Sequence, residues 1–93
     1  IDYPKYFTPN GDGINDYWNI VGMVNHPEAR IYIFDRYGKL IKQLSPTSRT
    51  DRSEGWDGTY NGNPLPSDDY WFTVEFTEGG NARTFKAHFA MKR

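Results

Sequence analysis

Asn10-Gly11-Asp12-Gly13, followed by Asp16, is the stretch of this chain whose residue types and spacing best suit a metal ion. With Thr8 at the first position of a calcium loop, Asn10 and Asp12 fall on the third and fifth. Gly13 then sits at the sixth, where such a loop turns sharply, and Asp16 falls near the ninth. The Ile14 carbonyl would take the place between them. Asn10, Asp12 and Asp16 are therefore the candidate ligands for Ca2+. The set is incomplete, because Thr8 replaces the usual Asp and Asn19 stands where a bidentate Glu is needed. The competing reading is an Asx-rich turn, in which Asn and Asp side chains bond nearby amides and glycine supplies positive φ. The turn is the preferred reading.

The remaining reactive side chains are sparse. Asp68-Asp69, with Asp35, Glu54 and Asp57 elsewhere, could supply a glycosidase pair, but that chemistry needs two carboxyls roughly 5–10 Å apart across a cleft. A domain of 93 residues has little room for one. Trp56-Asp57-Gly58 reads as a buried ring followed by a turn whose Asp bonds backbone amides. His26 and His88 are the two histidines, a poor set for zinc and not near a nucleophile. The chain has no cysteine, which removes disulfides and thiol chemistry. No catalytic residue is assigned and no enzyme is expected. A net charge of −1 argues against nucleic acid as a partner, and no small-molecule substrate is expected.

The elements that must position these residues are strands. Gly and Pro punctuate the chain too often for a helix; Pro27 to Arg30 can make no more than a turn. Tyr17–Val21 reads as a short strand. Ala29–Asp35 and Leu40–Leu44 form a hairpin around Arg36-Tyr37-Gly38-Lys39, with Ile31, Ile33 and Asp35 on one face and Arg30, Tyr32 and Phe34 on the other. Ser45–Glu54 is a polar surface loop, Trp56 seeds an edge, and Tyr60-Asn61-Gly62-Asn63-Pro64 is a turn. Asp69–Thr77 and Ala82–Lys92 are long strands joined by Glu78-Gly79-Gly80-Asn81. This pattern predicts one all-β domain, an immunoglobulin-like antiparallel β-sandwich of about seven short strands. Three Trp, seven Tyr and six Phe supply the buried area that 37% hydrophobic content would otherwise leave thin.

The long strands alternate. Tyr70, Phe72, Val74 and Phe76 share one face, which leaves Trp71 on a polar one. Phe85, Ala87, Phe89 and Met91 share one face, and Lys86, His88, Ala90 and Lys92 the other. Phe85 and Phe89 should both point into the core, each truncation to Ala costing about 3–5 kcal/mol. Lys92 and Arg93 should lie at the surface, where removal is nearly neutral for stability. A last strand ordered to a basic end can present that end as a fixed handle.

Several motifs stand in a distinctive order. These are Phe7-Thr8-Pro9-Asn10-Gly11-Asp12-Gly13-Ile14-Asn15-Asp16, then Ile31-Tyr32-Ile33-Phe34-Asp35-Arg36-Tyr37-Gly38-Lys39. Gly55-Trp56-Asp57-Gly58-Thr59-Tyr60-Asn61-Gly62 and Pro64-Leu65-Pro66-Ser67-Asp68-Asp69-Tyr70-Trp71-Phe72 follow, and the set ends on Arg83 to Arg93. Together they closely resemble the gliding-motility-associated C-terminal domain, the type B sorting domain of type IX secretion cargo in Bacteroidota. The resemblance implies a non-catalytic signal at the C-terminus of a large surface or secreted protein, such as an adhesin. It implies export through the periplasm and the outer-membrane translocon to the cell surface or the medium. It also implies dependence on a PorP/SprF-type outer-membrane partner. The family's usual ending has Gly before the His and Ser or Thr after the Phe; Ala87 and Ala90 stand there, both small. Residues 1–93, which open at Ile1 rather than Met, are expected to be one monomeric sorting domain from a longer parent. The residues expected to be read by a partner are Lys86, His88, Lys92 and Arg93, with Trp71. The alternative function is a calcium-dependent adhesive or carbohydrate-binding module.

Overall fold

Two eleven-residue strands, joined by the tightest of turns, form the centre of the fold in the computed structural model, which describes residues 1–13, 15–23, 25–48 and 52–93. In chain order the strands are β1 (Tyr6–Phe7), β2 (Arg30–Phe34), β3 (Leu40–Leu44), β4 (Thr59–Tyr60), β5 (Asn63–Pro64), β6 (Asp68–Glu78) and β7 (Asn81–Met91). No helix occurs among the described residues. Gly79 and Gly80 both take positive φ, the conformation that a two-residue hairpin turn requires, so β6 and β7 pair in register from Glu78↔Asn81 to Asp68↔Met91. Asn61 and Gly62 do the same between β4 and β5.

The larger sheet has the order β1-β7-β6-β2-β3, and β4-β5 forms a smaller one. The all-β sandwich of seven strands holds. The larger sheet is mixed rather than purely antiparallel, because β1 adds to β7 in parallel, Tyr6 beside Ala90 and Phe7 beside Met91. Parallel neighbours need a long connection, and here nearly the whole chain lies between them.

Tyr17–Val21 does not form a strand. Trp18, Asn19 and Ile20 are all fully buried, and three consecutive buried residues do not fit a one-sided strand of period two. The segment makes only isolated bridges, Trp18 to Trp56 and Val21 to Thr47. Asn19 replaces the missing ladder: its Oδ1 accepts from the Ile20 amide at 2.7 Å and its Nδ2 donates to the Ser45 carbonyl at 3.0 Å. Of the expected polar loop Ser45–Glu54, residues 49–51 lie outside the described set.

The core lies between the inner face of the larger sheet and a layer that includes Trp18, Ile20 and Trp56. The Phe89 ring stacks on Trp18 with centroids 4.1 Å apart, and Trp56 meets Tyr70 edge-on at 5.1 Å. Ile31 and Ile33 share the buried face of β2, and Tyr70, Phe72 and Val74 of β6 are buried as their alternation predicts. Phe85 points the same way and packs against the core, but it is only half-buried, near the tip of the hairpin, where its ring lies 5.9 Å from Tyr3.

Candidate recognition site

The loop at residues 10–16 is a turn organised around one carboxylate. Asp16 Oδ1 accepts from the Asn10 and Gly11 amides at 3.2 and 2.9 Å, and Oδ2 from the Gly13 amide at 2.7 Å. Asn10 Oδ1 accepts from the Asp12 amide at 3.2 Å. Asn19, the proposed last ligand position, is in the core. Ile14 lies outside the described residues. Among the described residues, no group of three or more His, Asp or Glu could hold a metal ion. The other carboxylates also serve turns: Asp35 accepts from the Tyr37 and Lys39 amides at 2.9 Å each, and Asp57 from the Thr59 amide and hydroxyl at 3.1 and 2.7 Å.

The residues expected to be read by a partner do not all come together. Trp71 and His88 do. They are direct cross-strand partners on the outer face of the larger sheet, with ring centroids 6.0 Å apart. Lys86 is on the same face, opposite Thr73. Paired residues in a sheet share a face, so the register extends the Trp71–His88 pair across four strands as a row of Leu40, Phe34, Trp71 and His88. Leu40 is 48% exposed and Trp71 41%, and Tyr6 projects beyond the row at 52%. The sequence placed Phe34 on the correct side of its strand but gave no sign that it abuts Trp71; that is a matter of which strands are neighbours. Leu40 and Tyr6 went unnoticed because a lone exposed apolar residue carries no signal until its neighbours are known.

Lys92 and Arg93 part company. Lys92 is exposed, and its amide donates to the Phe7 carbonyl at 3.0 Å. Arg93 is not a free charge. Its Nε donates to the Leu65 carbonyl at 2.6 Å, one Nη to the Gly58 carbonyl at 2.7 Å and the other to the Pro9 carbonyl at 3.4 Å. Its amide donates to Ser67 Oγ at 2.9 Å. One guanidinium thus ties three loops to the last strand. Gly58 makes room for it: at φ 85°, a Cβ there would fall 2.8 Å from the Met91 sulfur and 3.0 Å from Arg93 Nη2. Gly58 of the Trp56-Asp57-Gly58 motif therefore forms part of the seat of Arg93. Spacing alone could not have revealed this, because the contacts span most of the chain.

Tyr70 lies beside this seat. Its hydroxyl donates to the Pro66 carbonyl at 2.9 Å. Burial raises its pKa above the ordinary tyrosine value, Asp68 and Asp35 add to the rise, and Arg93 opposes it.

The family model for the CHU_C type IX secretion signal domain matches residues 1–91 of this chain. The chain belongs to that family. No curated protein and no solved structure matches it. Membership makes this CHU_C domain a C-terminal sorting signal of the type IX secretion system. It interacts with that machinery and is exported to the cell surface or the medium.

Proposed function

We propose that the domain is a type B sorting unit, carried by a larger parent such as an adhesin of a gliding member of the Bacteroidota. Its outer-membrane partner is of the PorP/SprF type, and the route runs through the periplasm. The partner reads the outer face of the larger sheet at Trp71 and His88, with Lys86 and Lys92 beside them. Arg93 ties the end of β7 to the segments at Pro9, Gly58 and Leu65. The observation that carries this is the Leu40–Phe34–Trp71–His88 row, which brings aliphatic and aromatic side chains together on the outer face of the larger sheet. Exposed aromatic clusters of this kind mark interaction surfaces. The calcium-dependent adhesive or carbohydrate-binding alternative is not favoured, since the family is one of secretion signals and Asp16 is occupied by backbone amides.

The test is a fluorescent reporter fused to the domain in a type IX-competent cell. Trp71→Ala and His88→Ala should leave melting close to wild type and hold the reporter in the periplasm. Normal export of both folded variants would remove this face from the reading.

A further inference from the structure

The two long strands of the hairpin are not equally enclosed. β6 has neighbours on both sides, whereas β7 has β6 on one side and only the two residues of β1 on the other. In an antiparallel ladder, alternate residues bond to the partner and the others turn their amides and carbonyls away. Glu78↔Asn81 closes the turn, so Arg83, Phe85, Ala87 and Phe89 bond to β6, while Thr84, Lys86, His88, Ala90 and Lys92 face outward. Two outward bonds confirm the phase: the Ala90 amide donates to the Lys5 carbonyl at 2.9 Å, and the Lys92 amide to the Phe7 carbonyl. Among the described residues, no backbone partner occupies the same side of Thr84, Lys86 or His88. Residues before Lys5 leave the edge: Tyr3 turns beneath the sheet onto Phe72 and Phe85.

We infer that this open half of β7 accepts an extended segment of a partner by strand addition, and that the segment alternates apolar residues with Asp or Glu. This rests on the reading of the terminal hairpin as the surface the secretion machinery recognises. From Asn81 to Arg93 the chain carries Arg83, Lys86, Lys92 and Arg93 and no carboxylate. Glu75, one strand inward, is flanked in register by Arg30 on its far side. On the inner side of the edge lies an open groove of about 690 Å³, lined by Phe85, Phe76 and Met23, where the charge of Arg83 is offset by Asp2 and Glu78, so that the groove suits apolar side chains and the carboxylates belong on the outer face beside Lys86. Added side chains would alternate between that groove and the outer face beside Lys86. Backbone bonds supply affinity and alternate side chains supply selectivity. A second copy of this chain is a poorer occupant, because its β7 would bring like charges against Lys86 and Arg83. Lysine on an edge also discourages aggregation; that role alone predicts no bound strand.

The experiment titrates the domain with a short synthetic peptide of alternating Glu and Val, and with its Lys–Val counterpart, while amide exchange is followed residue by residue. The Glu–Val peptide should slow exchange at Thr84, Lys86 and His88 by about tenfold near ninety per cent occupancy, and the Lys–Val peptide should not. Lys86→Glu should weaken the Glu–Val peptide by about tenfold. Lys86→Pro removes one outward amide without touching the β6 ladder and should abolish binding. Binding that leaves the three amides unprotected overturns the inference, as does concentration-dependent protection without peptide, which would assign the edge to a second copy. If Lys86→Pro unfolds, exchange in the wild type and in Lys86→Glu still decides. In cells, normal export of folded Lys86→Pro alongside retained Trp71→Ala would sink the edge and leave the face. Failure of the wild-type fusion to leave the periplasm would sink the secretion-partner reading, and the peptide titration would still judge the edge.

Discussion

From Phe89 to Arg93, β7 and its extension are held on every side; from Ala82 to His88 the same strand is held on one. The root half has β6 on one flank, β1 on the other, an aromatic core beneath and the Arg93 side chain folded back onto three loops. The outer half has β6 on one flank, solvent on the other, and beneath it a half-buried Phe85 against Tyr3. Both halves share one alternation of apolar and polar residues. The difference teaches that alternation assigns a residue to a face but not to a depth, and that an edge is a property of the neighbours rather than of the strand.

The largest break in this comparison should come from Phe89. Phe89→Ala removes a ring stacked on Trp18 and touching Phe7, Trp56, Tyr70 and Phe72, and should cost about 3–5 kcal/mol in chemical denaturation. Phe85→Ala should cost about 1–2 kcal/mol, because half-burial halves the area removed from water. Equal losses would mean the outer half is as deeply packed as the root.

A smaller effect separates the two terminal charges. Arg93→Ala breaks the bonds to Leu65, Gly58 and Pro9 and should lower stability by about 1 kcal/mol, discounted for partial exposure. Lys92→Ala should change it by less than about 0.5 kcal/mol. Export of the two variants, compared at matched stability, then separates a terminal latch from a terminal address.

Alkali tests the same corner. Because the folded Tyr70 has a raised pKa, its contribution is fully present below the unfolded tyrosine value of about 10. It is lost as pH rises through the folded value, since the unfolded state gives up the proton first. Tyr70→Phe should flatten the alkaline limb of the stability profile. An unchanged limb would place the phenol in water rather than against the Pro66 carbonyl.

The smallest expected effect is none at all. Melting in calcium and in chelator should coincide, because backbone amides already surround Asp16. A calcium-dependent rise would mean that an ion, and not only hydrogen bonds, supports the loop that carries Pro9 to Arg93.

Local chemistry was legible in the sequence where it is decided locally. Period-two alternation put Ile31 and Ile33 on one face, placed Tyr70, Phe72, Val74 and Phe89 in the core, together with a Phe76 that is only half-buried, and set Trp71 and His88 outside it. Gly79-Gly80 and Asn61-Gly62 announced their turns, because few other residues tolerate positive φ at both central positions. The order of the motifs identified the family, and with it the secretion role. What only the tertiary structure decided depends on which distant segments meet. The strand expected at Tyr17–Val21 is a buried crossing stabilised by the Asn19 side chain. Phe34 lies beside Trp71, and Arg93 reaches Pro9 across almost the full chain length. The covered and open halves of β7 follow from where β1 begins, and a strand's own residues carry no record of how long its neighbour is.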